Sequence, residues 1–417
     1  MDKIRIKGKA DLYGAISVSG SKNAALPILV SSLLSNNDLV LKNIPKLEDI
    51  KSMIKLLRGY GVSCIEKENI LTLKANNINN NIADYDLVRK MRASILILGP
   101  LLARFKQASI SLPGGCAIGT RPVDIHLDTL SRLGVRFQIE NGFVKAIAEN
   151  SLIGNEVNLS FPSVGATENL IMAASLAKGD TIINNPAKEP EIIDLASCLN
   201  SMGAKISGSG TNQIIITGVE SLNKAHHTIM SDRIVAGTYI ILAVMLNKKF
   251  IVKNFNPKYL ISLINILKKM KANLKIEKDS IQVMPSKKII GSSVQTAPYP
   301  GFPTDLQAQI MALMSLANGS SKIIEKIFEN RFMHVAELNR LGAHIKIKND
   351  TAYIEGNRNF KGAQVMASDL RASVSLILAG LCAEGETVVH RVYHLDRGYE
   401  KIEEKLRKYG PIMSREN

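Results

Sequence analysis

Tryptophan is absent from the 417 residues, and aromatic side chains amount to only 5% of them. A chain so poor in stacking surface is a weak candidate for single-stranded nucleic-acid binding, where bases stack on aromatics interleaved with basic groups. Cysteine is also sparse: Cys64, Cys116, Cys198 and Cys382 lie far apart, with no CxxC pair. That spacing supports neither a disulfide framework nor a zinc site. No apolar run reaches the roughly 18 residues a membrane span needs; "SILILGPLLA" is among the longest. The opening "MDKIRIKGKADL" has no apolar signal core, so the sequence reads as that of a cytoplasmic protein. Acidic residues number 37 against 53 Lys and Arg, a formal charge of +16. The lysines are scattered through a chain that favours Ile, Lys and Asn, so a solvated surface accounts for most of them, and neither nucleic acid nor membrane is expected as a partner.

What is present is a repeat. With 46% apolar residues the chain can build two ordinary domains, each around its own core. A helix end, a glycine, and two alternating runs joined by a polar turn recur, as in "LSRLGVRFQIENGFVKAIA" and "LNRLGAHIKIKNDTAYIEG". The marker positions are Gly61, Gly134, Gly203, Lys271, Gly342 and Gly410, at intervals of 73, 69, 68, 71 and 68 residues. Lys271 breaks the glycine rule, which predicts a different helix cap there. The sixth unit runs out after Gly410, whereas the N-terminal "DKIRIKG" is a spare strand. The economical arrangement has residues 1–20 completing the second domain, with 21–229 forming the first domain and 230–417 the second, three units in each. Every unit also contains an earlier helix that is apolar nearly all round, such as "TYIILAVMLNK" or "ASVSLILAG". Such helices belong in an interior, which predicts an α/β fold with helices inside and sheets outside.

Equivalent positions in related units should converge at the entrances of these helices. They are Lys22 and Asn23, Arg92, Ser163-Val164-Gly165, Asp232 with Arg233, Asp305, and Asp369 with Arg371; the second helices add Arg121, Arg331 and Arg397. Helix N-termini offer unpaired N–H groups and partial positive charge, and arginine forks bind carboxylate or phosphate through two parallel hydrogen bonds. The set therefore reads as an anion site. Glycines at 20, 119 and 398 are read as allowing close ligand approach. Asp305, in "PGFPTDLQAQ", has the pattern of a helix N-cap, but a carboxylate among so many cations can also accept a proton as general base. In "LPGGCAIGTRP", three glycines and two prolines in eleven residues exclude a helix or central strand. Cys116 is thereby placed on an exposed, mobile connection, where neighbouring cations would make its thiol nucleophilic. The other three cysteines fall on apolar faces and read as core.

The segments "SGSKNAALPIL", "PGGCAIGTRPVDIHL", "SVGATENLIMAA", "TAPYPGFPTDLQAQ", "FENRFMHVAEL", "DLRASVSLILAG" and "YHLDRGYEKIEEKL" resemble the UDP-N-acetylglucosamine enolpyruvyl transferase family over essentially the whole chain. The resemblance implies a two-domain, inside-out α/β barrel of six βαβαββ units. It also implies transfer of enolpyruvyl from phosphoenolpyruvate to the 3′-hydroxyl of UDP-N-acetylglucosamine, with loss of phosphate, through a tetrahedral intermediate. Catalytic positions would be Cys116 as the proton donor to carbon, Asp305 as the base and Lys22. Phosphoenolpyruvate would be held by Lys22, Arg92, Arg121, Arg331, Arg371 and Arg397. The sugar nucleotide would touch Asn23, Arg92, Arg121, Pro122, Val123, Asp124, Ile125, Ser163, Val164, Gly165, Asp305 and Ile327. No cofactor or metal is implied, and the protein is expected to be a monomer or weak homo-oligomer. Phe161 and Val235 depart from common family patterns, which carry lysine and glutamate there. The related shikimate-pathway enzymes lack the glycine-flanked cysteine.

Overall fold

A computed structural model describes residues 2–78, 92–111, 123–140 and 142–416. The described chain divides into two compact units. One gathers the chain up to Ser19 and from Ser231 onward; the other gathers the described residues between Gly20 and Met230.

Among the described residues each unit carries three sheets, and each four-stranded sheet mixes one parallel pair with two antiparallel pairs. The parallel pair brackets a buried helix in a βαβ step. Gln364–Met366 runs parallel to Glu386–His390 across helix Leu370–Cys382, and Ser293–Gln295 runs parallel to Ser321–Ile324 across helix Gln307–Leu316. Glu156–Asn158 and Asp180–Asn184 do the same across helix Val164–Ala174. Two steps exchange partners. Ala15–Ser17, which precedes helix Lys22–Ser31, pairs with Phe250–Lys253, whereas Ala225–Thr228, which precedes helix Arg233–Leu246, pairs with Leu39–Lys42. Lys3–Lys7 lies between Glu386–His390 and Met413–Glu416, antiparallel to both.

The bracketed helices are nearly all side chain and no surface. In Arg233–Leu246 the buried run extends without a break from Arg233 to Val244. At about 1.5–3 kcal/mol for each large aliphatic side chain removed from water, these helices are the main apolar stabilisation of their units. Each unit closes around a separate core, one built from residues between Ala24 and Ile229, the other from Ile4 to Val18 with Ile234 to Met413. No helix among the described residues is long and apolar enough to cross a membrane.

The marker positions share one backbone conformation. Gly61, Gly134, Gly203, Gly342 and Gly410 have φ between 94° and 117°, and Lys271 has φ 69°. The expectation of a different cap at Lys271 is therefore corrected: the same left-handed turn ends that helix, with a lysine bearing the steric cost that glycine avoids. Gly20 and Gly398 also differ from their reading as ligand-approach positions. A Cβ at Gly20 would stand 1.8 Å from the Asn43 carbonyl oxygen, and one at Gly398 would stand 2.5 Å from Leu370 Cδ1. The Asn43 backbone excludes a side chain at Gly20, and at Gly398 a side chain would have to displace Leu370.

Candidate active site

In the unit that contains Ser231–Glu416, the helix entrances bring together one carboxylate and two arginines. Asp305 sits inside the short 3₁₀ turn Thr304–Leu306, whose cap position is Pro303 and which leads into helix Gln307–Leu316. The N-cap reading of Asp305 is thus corrected, because its carboxylate is turned to side chains. Oδ1 accepts from Arg331 Nη2 at 2.9 Å and Oδ2 accepts from Arg371 Nη2 at 2.8 Å. Both arginine side chains are almost wholly buried, 6% and 5% exposed, while Asp305 keeps 26% of its surface. Burial pulls the Arg371 pKa down, but Asp305 foremost, then Tyr399 and Asp232, hold it above the ordinary arginine value. Arg331 stands over the Phe328 ring, 5.1 Å from its centroid, and its buried Nη1 has no acceptor among the described residues. Two buried cations share one carboxylate, an arrangement with donor capacity left for an anion.

The entrances themselves are capped as their sequences suggest. Asp232 accepts from the Ile234 and Val235 N–H groups, and Asp369 accepts from those of Arg371 and Ala372. Arg397 closes the 3₁₀ turn Val392–Arg397. Ile327 lies on a turn built by Glu325, whose buried carboxylate accepts from the Thr296 and Thr304 hydroxyls, each at 2.8 Å, and from the Ile327 N–H at 2.9 Å. Thr304 is the neighbour of Asp305, so Glu325 ties the Asp305 turn to the strand Ser321–Ile324 that precedes it.

In the other unit, Ser21 caps helix Lys22–Ser31, and Lys22 and Asn23 are its first residues. Lys22 Nζ lies 3.2 Å from Asp49 Oδ2, with both side chains largely buried. Ser163 caps helix Val164–Ala174, so that Val164 and Gly165 form its first turn. Val123 precedes helix Asp124–Ser131, which begins with Asp124 and Ile125. The two elements meet at His126, whose Nδ1 is 3.1 Å from Asn169 Nδ2 and whose ring packs on Gly165. Burial drops the His126 pKa to about 4, which keeps the ring neutral and structural. In helix Val164–Ala174, burial foremost, with Glu191 and Glu189 adding to it, raises the Glu168 carboxyl well above the usual range. Cys116, Arg121 and Pro122 lie outside the described residues, as does the side chain of Arg92, which opens the 3₁₀ turn Arg92–Ile97. No group of three His, Cys, Asp or Glu among the described residues could hold a metal ion.

Sequence reasoning missed Glu325, Asp49, Gln309, Thr238 and Tyr399. Two of them were findable: Thr238 and Gln309 are polar residues inside helices that are otherwise apolar all round, a placement that demands internal partners.

The fold and this cluster define an enolpyruvyl transferase class. The family model for EPSP synthase (3-phosphoshikimate 1-carboxyvinyltransferase) matches residues 6–406. Among curated relatives, the UDP-N-acetylglucosamine 1-carboxyvinyltransferase of Pelagibacter ubique is 52% identical over 419 residues, covering 100% of both chains. That of Azorhizobium caulinodans is 50% identical, covering 100% of this chain and 99% of the relative. Among solved structures, an enolpyruvyl transferase from Streptomyces tendae superposes with a TM-score of 0.90 at 23% identity, over 99% of this chain and 98% of that one. EPSP synthase from Acinetobacter baumannii gives 0.78 at 18% identity, over 100% of both chains. At those identities the two structures speak for the fold alone. The chain belongs to the UDP-N-acetylglucosamine 1-carboxyvinyltransferase family, a branch of the wider EPSP synthase family.

Proposed function

We propose that the protein transfers the enolpyruvyl group of phosphoenolpyruvate to the 3′-hydroxyl of UDP-N-acetylglucosamine and releases phosphate, the first committed step of peptidoglycan synthesis, in the cytoplasm. The observation that carries the reading is the Arg331–Asp305–Arg371 cluster, in a chain half identical from end to end to enzymes named for this reaction. The finer architecture belongs to the same reading: two domains bounded near residues 20 and 230, each an inside-out α/β barrel of three βαβαββ units. The exchanged strands and the fully buried helices support it.

In the addition step the sugar hydroxyl oxygen bonds to C2 of phosphoenolpyruvate, its proton passes to Asp305, and a proton reaches C3 from Cys116. In the elimination step C3 returns a proton to the Cys116 thiolate, the C2–O bond to phosphate breaks, and the enol ether double bond forms. Lys22, Arg92, Arg121, Arg331, Arg371 and Arg397 neutralise the phosphate and carboxylate of the donor. Asn23, Val123 to Ile125, Ser163 to Gly165 and Ile327 face the sugar nucleotide. The geometry at Asp305 favours the base role, since a carboxylate fixed by two arginines is held in one orientation and still keeps lone pairs for a hydroxyl. Phosphate release with both substrates, measured on wild type, Cys116→Ser and Asp305→Ala, tests the proposal. The wild type should release phosphate and each variant should be strongly impaired. Release with shikimate 3-phosphate in place of UDP-N-acetylglucosamine would refute the substrate assignment.

A further inference from the structure

We propose that Tyr399 is a positioning residue for this reaction: its hydroxyl and ring hold the Arg371 guanidinium against Asp305, and Thr238 and Gln309 fix the hydroxyl in turn. The inference rests on Asp305 being the base. Tyr399 is buried, and its oxygen lies at the meeting point of three polar side chains. Thr238 Oγ1 is 2.9 Å away, Gln309 Nε2 is 3.4 Å away and Arg371 Nη1 is 3.5 Å away; the Arg371 guanidinium carbon is 5.9 Å from the ring centroid.

Counting donors gives this network a direction. The one hydroxyl hydrogen of Thr238 goes to the Ile234 carbonyl at 2.9 Å, so in the Thr238–Tyr399 pair the tyrosine donates. The lone pairs of Tyr399 then face Arg371 and Gln309, both of which can only donate at those nitrogens; the Gln309 hydrogen not given to the Asp305 carbonyl is shared between Thr238 Oγ1 at 3.2 Å and the Tyr399 oxygen at 3.4 Å. The Gln309 amide has the same fixed sense, because its Nε2 donates to the Asp305 carbonyl at 3.0 Å. The chain of donors therefore runs from Arg371 through Tyr399 and Thr238 to the backbone of helix Arg233–Leu246. Gln309 anchors the main chain of Asp305 to the same point. One buried hydroxyl thus links the main-chain anchor of the base to the arginine that grips its carboxylate. Besides Arg371, Arg331 donates to Asp305, and the Asp232 carboxylate acts on Arg371 through its charge.

Tyr399→Phe keeps the ring and deletes the hydroxyl. It should lower kcat about tenfold, while KM for UDP-N-acetylglucosamine stays within about twofold. The acid limb of the kcat–pH profile should move to higher pH, because a guanidinium no longer held on Asp305 stabilises its charge less. Tyr60→Phe, at a buried hydroxyl with no hydrogen-bond partner among the described residues, is the control and should change neither quantity. An unchanged kcat in Tyr399→Phe, or a lower kcat with the acid limb in place, overturns the proposal. Should Tyr399→Phe fail to fold, Thr238→Val cuts the same chain one link further and is judged by the same limb. Wild-type protein that releases no phosphate from these substrates overturns the functional reading itself, which separates the two failures.

Discussion

Asp305→Asn probes the central cluster through stability and turnover together. The substitution keeps the side-chain shape but removes the charge and turns an NH2 donor toward one of two guanidinium groups that can only donate. Arg331 and Arg371 stay buried with no carboxylate between them. Removing one partner of a buried ion pair typically costs about 3–5 kcal/mol. Asp305 itself is 26% exposed, so water reaches the altered position, and about 2–3 kcal/mol is the better expectation. That is on the order of a 100-fold change in the unfolding equilibrium. It should be confined to one unit. Native-state hydrogen exchange should show lost protection in helices Gln307–Leu316 and Leu370–Cys382, with helix Val164–Ala174 unchanged. Phosphate release should fall by about 10²–10⁴-fold, the usual worth of a positioned base. A variant with wild-type protection in all three helices would mean that the arginines do not depend on Asp305. One with wild-type turnover would remove Asp305 from the chemistry.

Lys271→Gly should stabilise the protein by about 0.5–1 kcal/mol, the relief of a left-handed lysine less the added freedom of glycine in the unfolded chain, read as a shift in denaturant midpoint. His126 has its folded pKa lowered to about 4, so between that value and about 6.5 the unfolded chain binds the extra proton. Stability should therefore be complete above about pH 6.5 and fall as pH drops toward 4, by about 3 kcal/mol, and His126→Gln should flatten that part of the profile in chemical denaturation. An epoxide such as fosfomycin should add once, at Cys116, as read by peptide mass. Burial pushes the Cys198 and Cys382 thiols up to about 12 and also raises Cys64, which leaves all three poor nucleophiles.

The repeat was legible because its marker is a backbone requirement. A helix that ends in a left-handed residue selects glycine, and five of six positions obey. Lys271 shows the limit of that signal, since the conformation persists where the residue does not. The cationic residues at the helix entrances were legible by type and by place, but their pairing was not. Asp305 precedes an apolar helix just as a cap does, and its true partners stand 26 and 66 positions further along the chain. Only the fold decides between those readings: Asp232 and Asp369 cap their helices, and Asp305 meets the arginines.

The chain passes from one unit to the other at two points among the described residues. The chain leaves one unit at Ser19 and enters the other at Gly20, between a strand and the helix that follows it; it returns between Met230 and Ser231 at the same stage of another step. Each crossing is fixed by backbone hydrogen bonds: the Ser21 N–H to the Met230 carbonyl at 2.7 Å, and the Asp232 N–H to the Ser19 carbonyl at 2.9 Å. Just past the first crossing, Gly20 lies so close to the Asn43 carbonyl that no side chain fits there. The residues that come next, Lys22 after one crossing and Arg233 after the other, inherit positions set by main-chain geometry. Lys22 then stands 3.2 Å from Asp49 and Arg233 stands over the Tyr299 ring, 5.5 Å from its centroid, so each side chain is held by its own unit.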